Sequence, residues 1–306
     1  MDTRVETLLF RPPFDWDGLI EFFGPRAIPG VELVLDRVLR RSLRWNDSAG
    51  VIEVQPGMDP QSLELRLIGP ERFLSHAAQI SALASRVLDL NSDPEPIQRC
   101  FASDPVLAPL HLRWPGVRLP GAWDRFEMGV RAILGQQISV RAAHTLAARL
   151  VERFGHNFPT AFPGVTRLFP LAEELALLPV KEIASIGIPL KRAETLHHFA
   201  IWCTHPQHHR PHLIELPGIG PWTENYLRMR GDSERDAFPS GDLGIQKALG
   251  IQGLGPARGS REAEARSAVW RPWRAYAVML LWRSLSQQQS SQQQTSQQQT
   301  APQGKA

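Results

Sequence analysis

Two neighbouring features between residues 215 and 250 could do chemistry. The string LPGIGPW places Gly218 and Gly220 behind a proline and directly before the apolar-faced stretch WTENYLRM, and Asp242 follows a second turn. Such glycines can take unusual backbone angles and let another molecule approach closely. Backbone amides at a helix N-terminus, with the positive end of the helix dipole, can hold one phosphate without contacting a base. A tight helix–helix turn is the other interpretation, and these residues alone do not decide between the two.

Asp242 lies directly before LGIQKAL, a segment with a helical pattern. Aspartate is among the commonest residues at a helix N-cap, so a purely capping role is one interpretation. The helix dipole would also help to keep this carboxylate ionised in a partly dry cleft, where it could stabilise positive charge or orient water. The two roles can coexist, and the local pattern alone favours the cap.

The first part of the chain predicts an α+β domain over residues 1–90. Four strand-like segments, TRVETLLF, VLRRSLRW, VIEVQ and SLELRLI, predict a small antiparallel sheet. A short helix is expected over DWDGLIEFFGPRA. A longer helix is expected from Glu71 to Leu88, because its apolar residues recur at helical spacing.

The strand signals stop after NSDPEP, and residues 91–285 predict an all-α domain. Its expected helices include GAWDRFEMGVRAIL and SVRAAHTLAARLVERF, with Ser139 as N-cap and Gly155 as the stop. Residues 286–306 consist of SQQQ-type repeats and APQGKA, which are too polar to pack, so we expect a disordered tail.

Composition limits the class of protein. The 306 residues are 42% hydrophobic and carry a net charge of +3, which fits two domains and a weak preference for a polyanionic partner. Cys100 and Cys203 are the only cysteines, so a disulfide framework and a four-thiolate metal site are excluded. The sequence has no apolar run of signal-peptide or membrane-spanning length. We therefore expect a cytoplasmic protein with no membrane partner.

Six motifs in order along the chain carry a resemblance to a known family. They are RPPFDWDGLIEFFGPRAIPGVE, RLPGAWDRFEMGVRAILGQQISVRAA, IGIPLKRAETLHHFA, LPGIGPWTENY, FPSGDLGIQKAL and WRPWRAYAVMLLW. On these the chain resembles the helix–hairpin–helix (HhH-GPD) DNA glycosylases, most closely the AlkA-type 3-methyladenine DNA glycosylase II family. The resemblance runs from about residue 11 to residue 285. It implies a small sheet domain joined to a helical glycosylase domain, with a cleft for a flipped-out nucleotide.

The resemblance implies hydrolysis of the N-glycosidic bond of alkylated purines, of the 3-methyladenine and 7-methylguanine type, in duplex DNA. The position that matches the catalytic aspartate is Asp242. An alkylated purine is cationic and leaves as a neutral base, so its departure needs no proton donor. One ionised carboxylate can then stabilise the developing sugar cation and orient the attacking water. The family holds the damaged base between aromatic rings, and four positions match that pocket: Trp222, Tyr226, Trp273 and Phe22. Ordinary core packing is the alternative for the tryptophans.

The resemblance also implies residues that bind DNA. The hairpin positions are Pro217, Gly218, Ile219 and Gly220; Gln136 and Gln137 lie in the GQQIS turn, where Gln137 matches the side chain that fills the emptied base stack. No cofactor is expected to be required. The family implies a monovalent cation, Na⁺ or K⁺, held by backbone carbonyls of Leu216 or Ile219. The cysteine and histidines of CTHPQHHRPH do not match a common zinc spacing, so zinc is not favoured.

One departure from the family bears on activity. The residues after Asp242 are Leu243 and Gly244 rather than an aromatic residue, which puts the range of substrates in doubt. Lyases of the superfamily use a lysine at the position that Trp222 occupies here, so we expect a hydrolase without lyase activity. We expect a monomer on double-stranded DNA, associated with the nucleoid if the protein is bacterial. A non-catalytic DNA-binding or damage-recognition module is the alternative.

Overall fold

The N-terminal part forms a five-stranded antiparallel sheet. The computed structural model describes residues 2–206 and 212–300, with the backbone alone given for 289–300. The strands lie in the order β1-β5-β4-β3-β2. Their bounds are β1 Asp2–Leu9, β2 Glu32–Leu35, β3 Val38–Trp45, β4 Ser48–Pro56 and β5 Ser62–Gly69. The four predicted strands are confirmed. The additional strand, β2, is only four residues long and pairs with β3 at the sheet edge, too short for alternation to indicate it.

Fourteen helices occur in the described residues. They are α1 Trp16–Phe23, α2 Glu71–Leu74, α3 Ala77–Val87, α4 Pro94–Phe101, α5 Leu107–Arg113, α6 Arg125–Leu134, α7 Val140–Phe154, α8 Ala172–Leu177, α9 Val180–Ala184, α10 Leu190–Thr204, α11 Pro221–Arg230, α12 Leu243–Ala248, α13 Pro256–Ser267 and α14 Arg274–Thr300. Short 3₁₀ turns cover Gly24–Arg26, Leu213–Glu215 and Ala268–Trp270. The fold class, an α+β domain followed by a helical domain, is therefore as predicted.

Helix ends follow their capping residues. Ser139 accepts a hydrogen bond from the Ala142 amide and starts α7, and Gly155 ends it, as predicted. The helix predicted from residue 121 begins later, because the Asp124 side chain caps α6 at the Glu127 amide. The helix predicted over Glu71 to Leu88 is divided into α2 and α3, since the backbone turns between them.

Two predictions for the helical domain are wrong in part. It is not all-α, because β6 His156–Asn157 pairs with β7 Arg167–Leu168. The tail predicted as disordered from residue 286 is helical as far as residue 300 in α14. Glutamine is a good helix former, and extending a helix already anchored by a packed segment needs no new nucleation. The rest of that prediction, over 301–306, lies outside the described residues.

Two hydrophobic cores organise the molecule. The first combines the inner face of the sheet with α3, α4 and the start of α14, for example Leu65, Phe101 and Tyr276. The second joins α6, α7 and α10. The first core crosses residue 90, so the predicted domain boundary does not coincide with a break in packing. The partly buried ring of Tyr226 packs against both cores.

A buried ion cluster connects the sheet to α6. Arg41 donates to Glu32 at 2.7 Å and to Glu127 at 2.8 Å. Arg131 donates to the same two carboxylates at 2.6 Å each, and also to the Arg26 carbonyl oxygen at 2.7 Å. The cluster therefore fixes the segment after α1 relative to α6. Within the described part of the chain, no helix is long and apolar enough to cross a membrane.

Candidate active site at the hairpin and Asp242

The hairpin turn between the Leu213–Glu215 3₁₀ turn and α11 is tightly constrained. The Ile219 amide donates to the Leu216 carbonyl at 3.0 Å, and the Ile219 side chain is buried. Gly218 has φ +84°, and a Cβ there would lie 2.0 Å from Oγ1 of Thr195. Only glycine fits at this position. In the described residues just before the hairpin, the chain forms the single 3₁₀ turn Leu213–Glu215.

Gly220 differs from the expectation of an unusual conformation. Its φ of −110° and ψ of 177° are ordinary extended values, and a Cβ there would meet nothing within 4 Å. The residue is nevertheless the N-cap of α11, and no side chain caps that helix. Space is therefore open beside the first amides of α11, which is where an anion would approach.

Gln136 and Gln137 have different surroundings. The Gln136 amide donates to the Gly218 carbonyl at 3.0 Å and to Oγ1 of Thr223 at 2.9 Å, so it holds the hairpin against the end of α6. Gln137 is exposed at the tip of the same turn with φ +58°. Gln136 therefore holds the hairpin in place, whereas the Gln137 side chain is exposed to solvent.

Asp242 lies at the centre of the site and has three hydrogen-bond donors. It is the N-cap of α12, with Oδ1 accepting from the Ile245 amide at 3.0 Å. The indole nitrogen of Trp282 donates to Oδ1 at 3.1 Å, and that of Trp222 donates to Oδ2 at 3.0 Å. Oδ2 keeps capacity for a further donor, such as a water molecule. The same carboxylate therefore caps α12 and keeps a free acceptor position on Oδ2.

Three aromatic rings surround this carboxylate. Trp222 and Tyr226, one turn apart on α11, stack with centroids 5.1 Å apart at 24°. The Tyr226 ring is 6.1 Å from that of Trp282. The predicted residues Trp222 and Tyr226 are thus brought together with Asp242.

Trp273 is not brought to this cluster. Its ring packs edge-on against Tyr276 at 5.8 Å, and the Arg235 guanidinium lies 5.6 Å from its centroid. Trp282 lies nine residues further along the chain, within α14. It occupies the position beside Asp242 that was expected of Trp273. Both residues belong to WRPWRAYAVMLLW, and a resemblance over that segment did not by itself indicate which tryptophan faces the cleft.

Phe22 lines a cavity of about 710 Å³ together with Arg26, Met279 and Trp282. The guanidinium carbons of Arg26 and Arg230 lie 4.0 and 4.5 Å from the Phe22 ring centroid. Arg230 is buried and donates to two backbone carbonyls, and burial lowers its pKa to about 10. Phe22 therefore lines this cavity, and its ring lies against two guanidinium groups.

The residues after Asp242 leave space at the site. Leu243 is 74% exposed. A Cβ at Gly244 would lie 3.0 Å from Oδ1 of Asp242 and 3.5 Å from the Trp282 ring. The absence of a side chain at residue 244 thus allows the carboxylate and the indole to approach each other.

No cluster of three or more metal-ligating side chains occurs in the part of the chain that the structure describes. His208 and His209 of the histidine-rich link lie outside that part. The Leu216 carbonyl already accepts the Ile219 amide, whereas the Ile219 carbonyl accepts no hydrogen bond from any described residue. Such hard oxygen donors fit a monovalent cation better than zinc.

The comparisons with known proteins agree with this geometry. Residues 5–124 match the AlkA N-terminal domain, and residues 130–275 match the HhH-GPD superfamily of base excision DNA repair proteins. One curated relative, a probable bifunctional transcriptional activator/DNA repair enzyme AlkA from Mycobacterium tuberculosis, is 35% identical over 90% of this chain. The chain spans only 56% of the length of that relative.

A second relative is matched over nearly its whole length. DNA-3-methyladenine glycosylase 2 of Escherichia coli is 36% identical over 90% of this chain and 96% of its own. The structure of a 3-methyladenine DNA glycosylase from Archaeoglobus fulgidus has the same fold, with a TM-score of 0.74 at 21% identity over 90% of this chain and 97% of that one. The chain belongs to the DNA-3-methyladenine glycosylase 2 family.

Proposed function

We propose that this protein is a DNA glycosylase that hydrolyses the N-glycosidic bond of alkylated purines in duplex DNA and so starts base excision repair. The observation that carries the proposal is the Asp242 carboxylate, held by the indole N–H groups of Trp222 and Trp282, the second of which also lines the cavity. Relatives that are 36% and 30% identical are named as 3-methyladenine glycosylases, which supports this class of substrate. A non-catalytic DNA-binding module is not favoured, because these polar contacts orient a carboxylate that DNA binding alone does not require.

The chemistry follows from the charge of the substrate. An N3- or N7-alkylated purine carries a positive charge, so rupture of the bond to C1′ releases a neutral base without a proton donor. The sugar becomes oxocarbenium-like, and a carboxylate preorganised near C1′ stabilises it. In this proposal Oδ2 of Asp242 also orients the water that attacks C1′, while the indoles prevent the carboxylate from rotating.

The hairpin provides the grip on DNA. The uncapped first amides of α11 and the open space at Gly220 fit one backbone phosphate. The exposed Gln137 would fill the gap left by the flipped nucleotide. The carbonyls of Leu216 and Ile219 would hold a monovalent cation between the hairpin and that phosphate. One compact cleft is sufficient for these roles, so we propose that the protein acts as a monomer, at the nucleoid if it is bacterial.

We propose further that the enzyme is monofunctional. The position of the lyase lysine is Trp222, whose indole donates to Asp242. Lys247, the nearest lysine downstream, is exposed near the far end of α12. Borohydride added during turnover tests the proposal, because it traps a Schiff base as a covalent protein–DNA adduct. We expect no adduct and an intact abasic strand; trapping at the level of a known lyase would contradict the assignment.

The test of the activity itself is release of a methylated purine. Duplex DNA alkylated with a methylating agent is incubated with excess enzyme, and free 7-methylguanine and 3-methyladenine are quantified. We expect both bases to appear with single-turnover kinetics. DNA binding without any released base would favour the non-catalytic alternative.

A further inference from the structure

Arg283 connects two helices that line the 710 Å³ cavity. Both α1 and α14 contribute to its lining, through residues such as Phe22 and Trp282. Arg283 follows Trp282 in α14, and its Nη1 donates to the carboxylate of Asp15, the N-cap of α1. Its Nη2 lies 3.1 Å from a carboxylate oxygen of Glu21, near the other end of α1. One guanidinium therefore joins α14 to both ends of α1, and we call this set of contacts the Arg283 bridge.

The bridge is shielded on its Asp15 side. The side chains of Arg283 and Asp15 are 16% and 17% exposed, so solvent and salt screen this pair less than a surface pair. The guanidinium carbon also lies 5.0 Å from the ring centroid of Trp114, which supports it from a third direction. The position of the guanidinium is therefore fixed by two carboxylates and one aromatic ring.

Gly18 leaves the space that the bridge occupies. This residue lies inside α1, where alanine would favour the helix more than glycine does. A Cβ at residue 18 would lie 2.5 Å from Nη1 of Arg283 and 2.5 Å from Oδ2 of Asp15. No side chain therefore fits at this position while the ion pair is formed.

The bridge holds the part of α14 that carries Trp282. Leu285 is the last buried residue among the side chains that the structure describes, and the helix then continues with polar residues. Trp282 thus lies near the end of the packed part of the helix. Because backbone hydrogen bonds keep successive residues of a helix in fixed relative positions, holding Arg283 also holds Trp282. The Trp282 indole in turn donates to Oδ1 of Asp242 at 3.1 Å.

We propose that Arg283 is a positioning residue for base release, because it fixes Trp282 against α1 and, through Trp282, the carboxylate of Asp242. The inference rests on the proposed glycosylase function. Asp15 and Glu21 lie in the segment that matches the AlkA N-terminal domain, whereas Asp242 lies in the HhH-GPD segment. The N-terminal segment thus takes part in orienting the catalytic carboxylate.

A double-mutant cycle with Trp282→Phe tests this role, with release of 7-methylguanine from duplex DNA as the readout. Saturating enzyme in excess over DNA makes the measured rate constant that of the bound, folded protein. We expect Arg283→Met to slow release about tenfold without changing DNA affinity, because a misplaced carboxylate affects the chemical step alone. Since Arg283 acts through Trp282, the double variant should be within about twofold of Trp282→Phe, whereas independent effects would multiply to about 100-fold.

Gly18→Ala is a second variant that breaks the bridge and leaves Arg283 in place. The three atoms nearest to the new Cβ belong to the ends of the Arg283 and Asp15 side chains, so these side chains must move apart while α1 remains helical. We expect release to slow about tenfold here as well, with no further loss when Gly18→Ala is combined with Arg283→Met. If Arg283→Met does not fold, Gly18→Ala takes its place in the cycle with Trp282→Phe.

Arg125→Met is the matched control. Arg125 pairs with Asp232 at 2.6 Å and lies 5.3 Å from the ring centroid of Trp202, but it is outside the described lining of the cavity. This variant should release base at the wild-type rate. A wild-type rate in Arg283→Met, equal slowing by Arg125→Met, or multiplied effects in the double variant would overturn the inference alone. Absence of base release by the wild type would contradict the proposed function, and the inference with it.

Discussion

Asp242 caps a helix and also accepts hydrogen bonds from two tryptophans. Its Oδ1 caps α12 through the Ile245 amide, and the two carboxylate oxygens accept one indole N–H each. A capped helix end fixes the backbone, and the indoles fix the rotation of the side chain. The same residue therefore stabilises the fold locally, and in the proposed reaction this orientation serves the cationic sugar.

Trp282 should be a positioning residue for Asp242. Trp282→Phe removes the 3.1 Å hydrogen bond to Oδ1 but retains an aromatic ring beside Tyr226. We expect base release to slow about tenfold or more, with little change in DNA affinity, because the carboxylate loses a restraint and not its charge. Trp273→Phe is the matched control, since that ring packs on Tyr276 away from the carboxylate. Equal effects of the two substitutions on the single-turnover rate would contradict this role.

The sequence could indicate the site residues that lie in the same short motif as the hairpin glycines. Trp222 and Tyr226 lie one turn apart directly after the hairpin, so their proximity follows from helix geometry. Trp282 and Arg26 come from segments about 40 residues after and more than 200 residues before Asp242. Their approach depends on how α14 and the segment after α1 pack, which local patterns do not specify.

We expect substitutions at the two hairpin glycines to have different effects, on protein stability at Gly218 and on DNA affinity at Gly220. Gly218→Ala should destabilise the protein by about 2 kcal/mol or more, since the new Cβ would lie 2.0 Å from Thr195 Oγ1 in a left-handed conformation. Gly220→Ala should leave the melting temperature within about a degree or two, because its Cβ meets nothing within 4 Å. The same change should weaken binding to undamaged duplex DNA, since the methyl group would stand where a phosphate approaches the α11 amides.

Thermal denaturation and a DNA titration at several salt concentrations measure both effects. Unchanged DNA affinity in Gly220→Ala would show that the phosphate does not approach at this point. A stable Gly218→Ala protein would show that the hairpin can move away from α10.

Among the helices and strands, patterns of apolar residues predicted the structure correctly where the patterns were long. The alternation of Leu63, Leu65 and Leu67 correctly indicated β5, whose three leucines are buried in the first core. The two-residue strands β6 and β7 are formed by pairing across a loop of the helical domain, and no local period signals such a short pair. The helical tail was missed because its high polarity was taken as a sign of disorder, although a helix can propagate from its packed first turns.

The ion cluster between the sheet and α6 makes whole-molecule stability depend on pH. Burial alone would raise the pKa of Glu127, but Arg41 and Arg131 outweigh it and lower the pKa from 4.5 to about 2. A carboxyl group with a lowered folded-state pKa stabilises the fold fully above its unfolded value, and that stability is lost as the pH falls towards 2. Acid destabilisation should therefore extend from about pH 4.5 downward.

Glu127→Gln tests the contribution of this cluster. The substitution leaves Arg41 and Arg131 buried with one carboxylate fewer, and we expect a loss of about 3–5 kcal/mol in the free energy of unfolding at pH 7. The variant should also lose less stability than the wild type between pH 4.5 and 2. Glu95→Gln, in an exposed pair with Arg99, should change stability by less than about 0.5 kcal/mol. Urea denaturation at pH 7 and pH 3 gives these values, and an unchanged pH dependence in Glu127→Gln would contradict the account.

The catalytic role of Asp242 is tested by single-turnover release of 7-methylguanine from duplex DNA by Asp242→Asn. Asparagine can still cap α12, but it removes the negative charge that the sugar cation needs, so we predict a rate at least about 100-fold below that of the wild type. DNA affinity and melting temperature should be nearly unchanged. Asp93→Asn, which alters a similar aspartate cap at α4 away from the aromatic rings, should retain full activity. Near-wild-type base release by Asp242→Asn would contradict the assignment of Asp242 as the catalytic carboxylate.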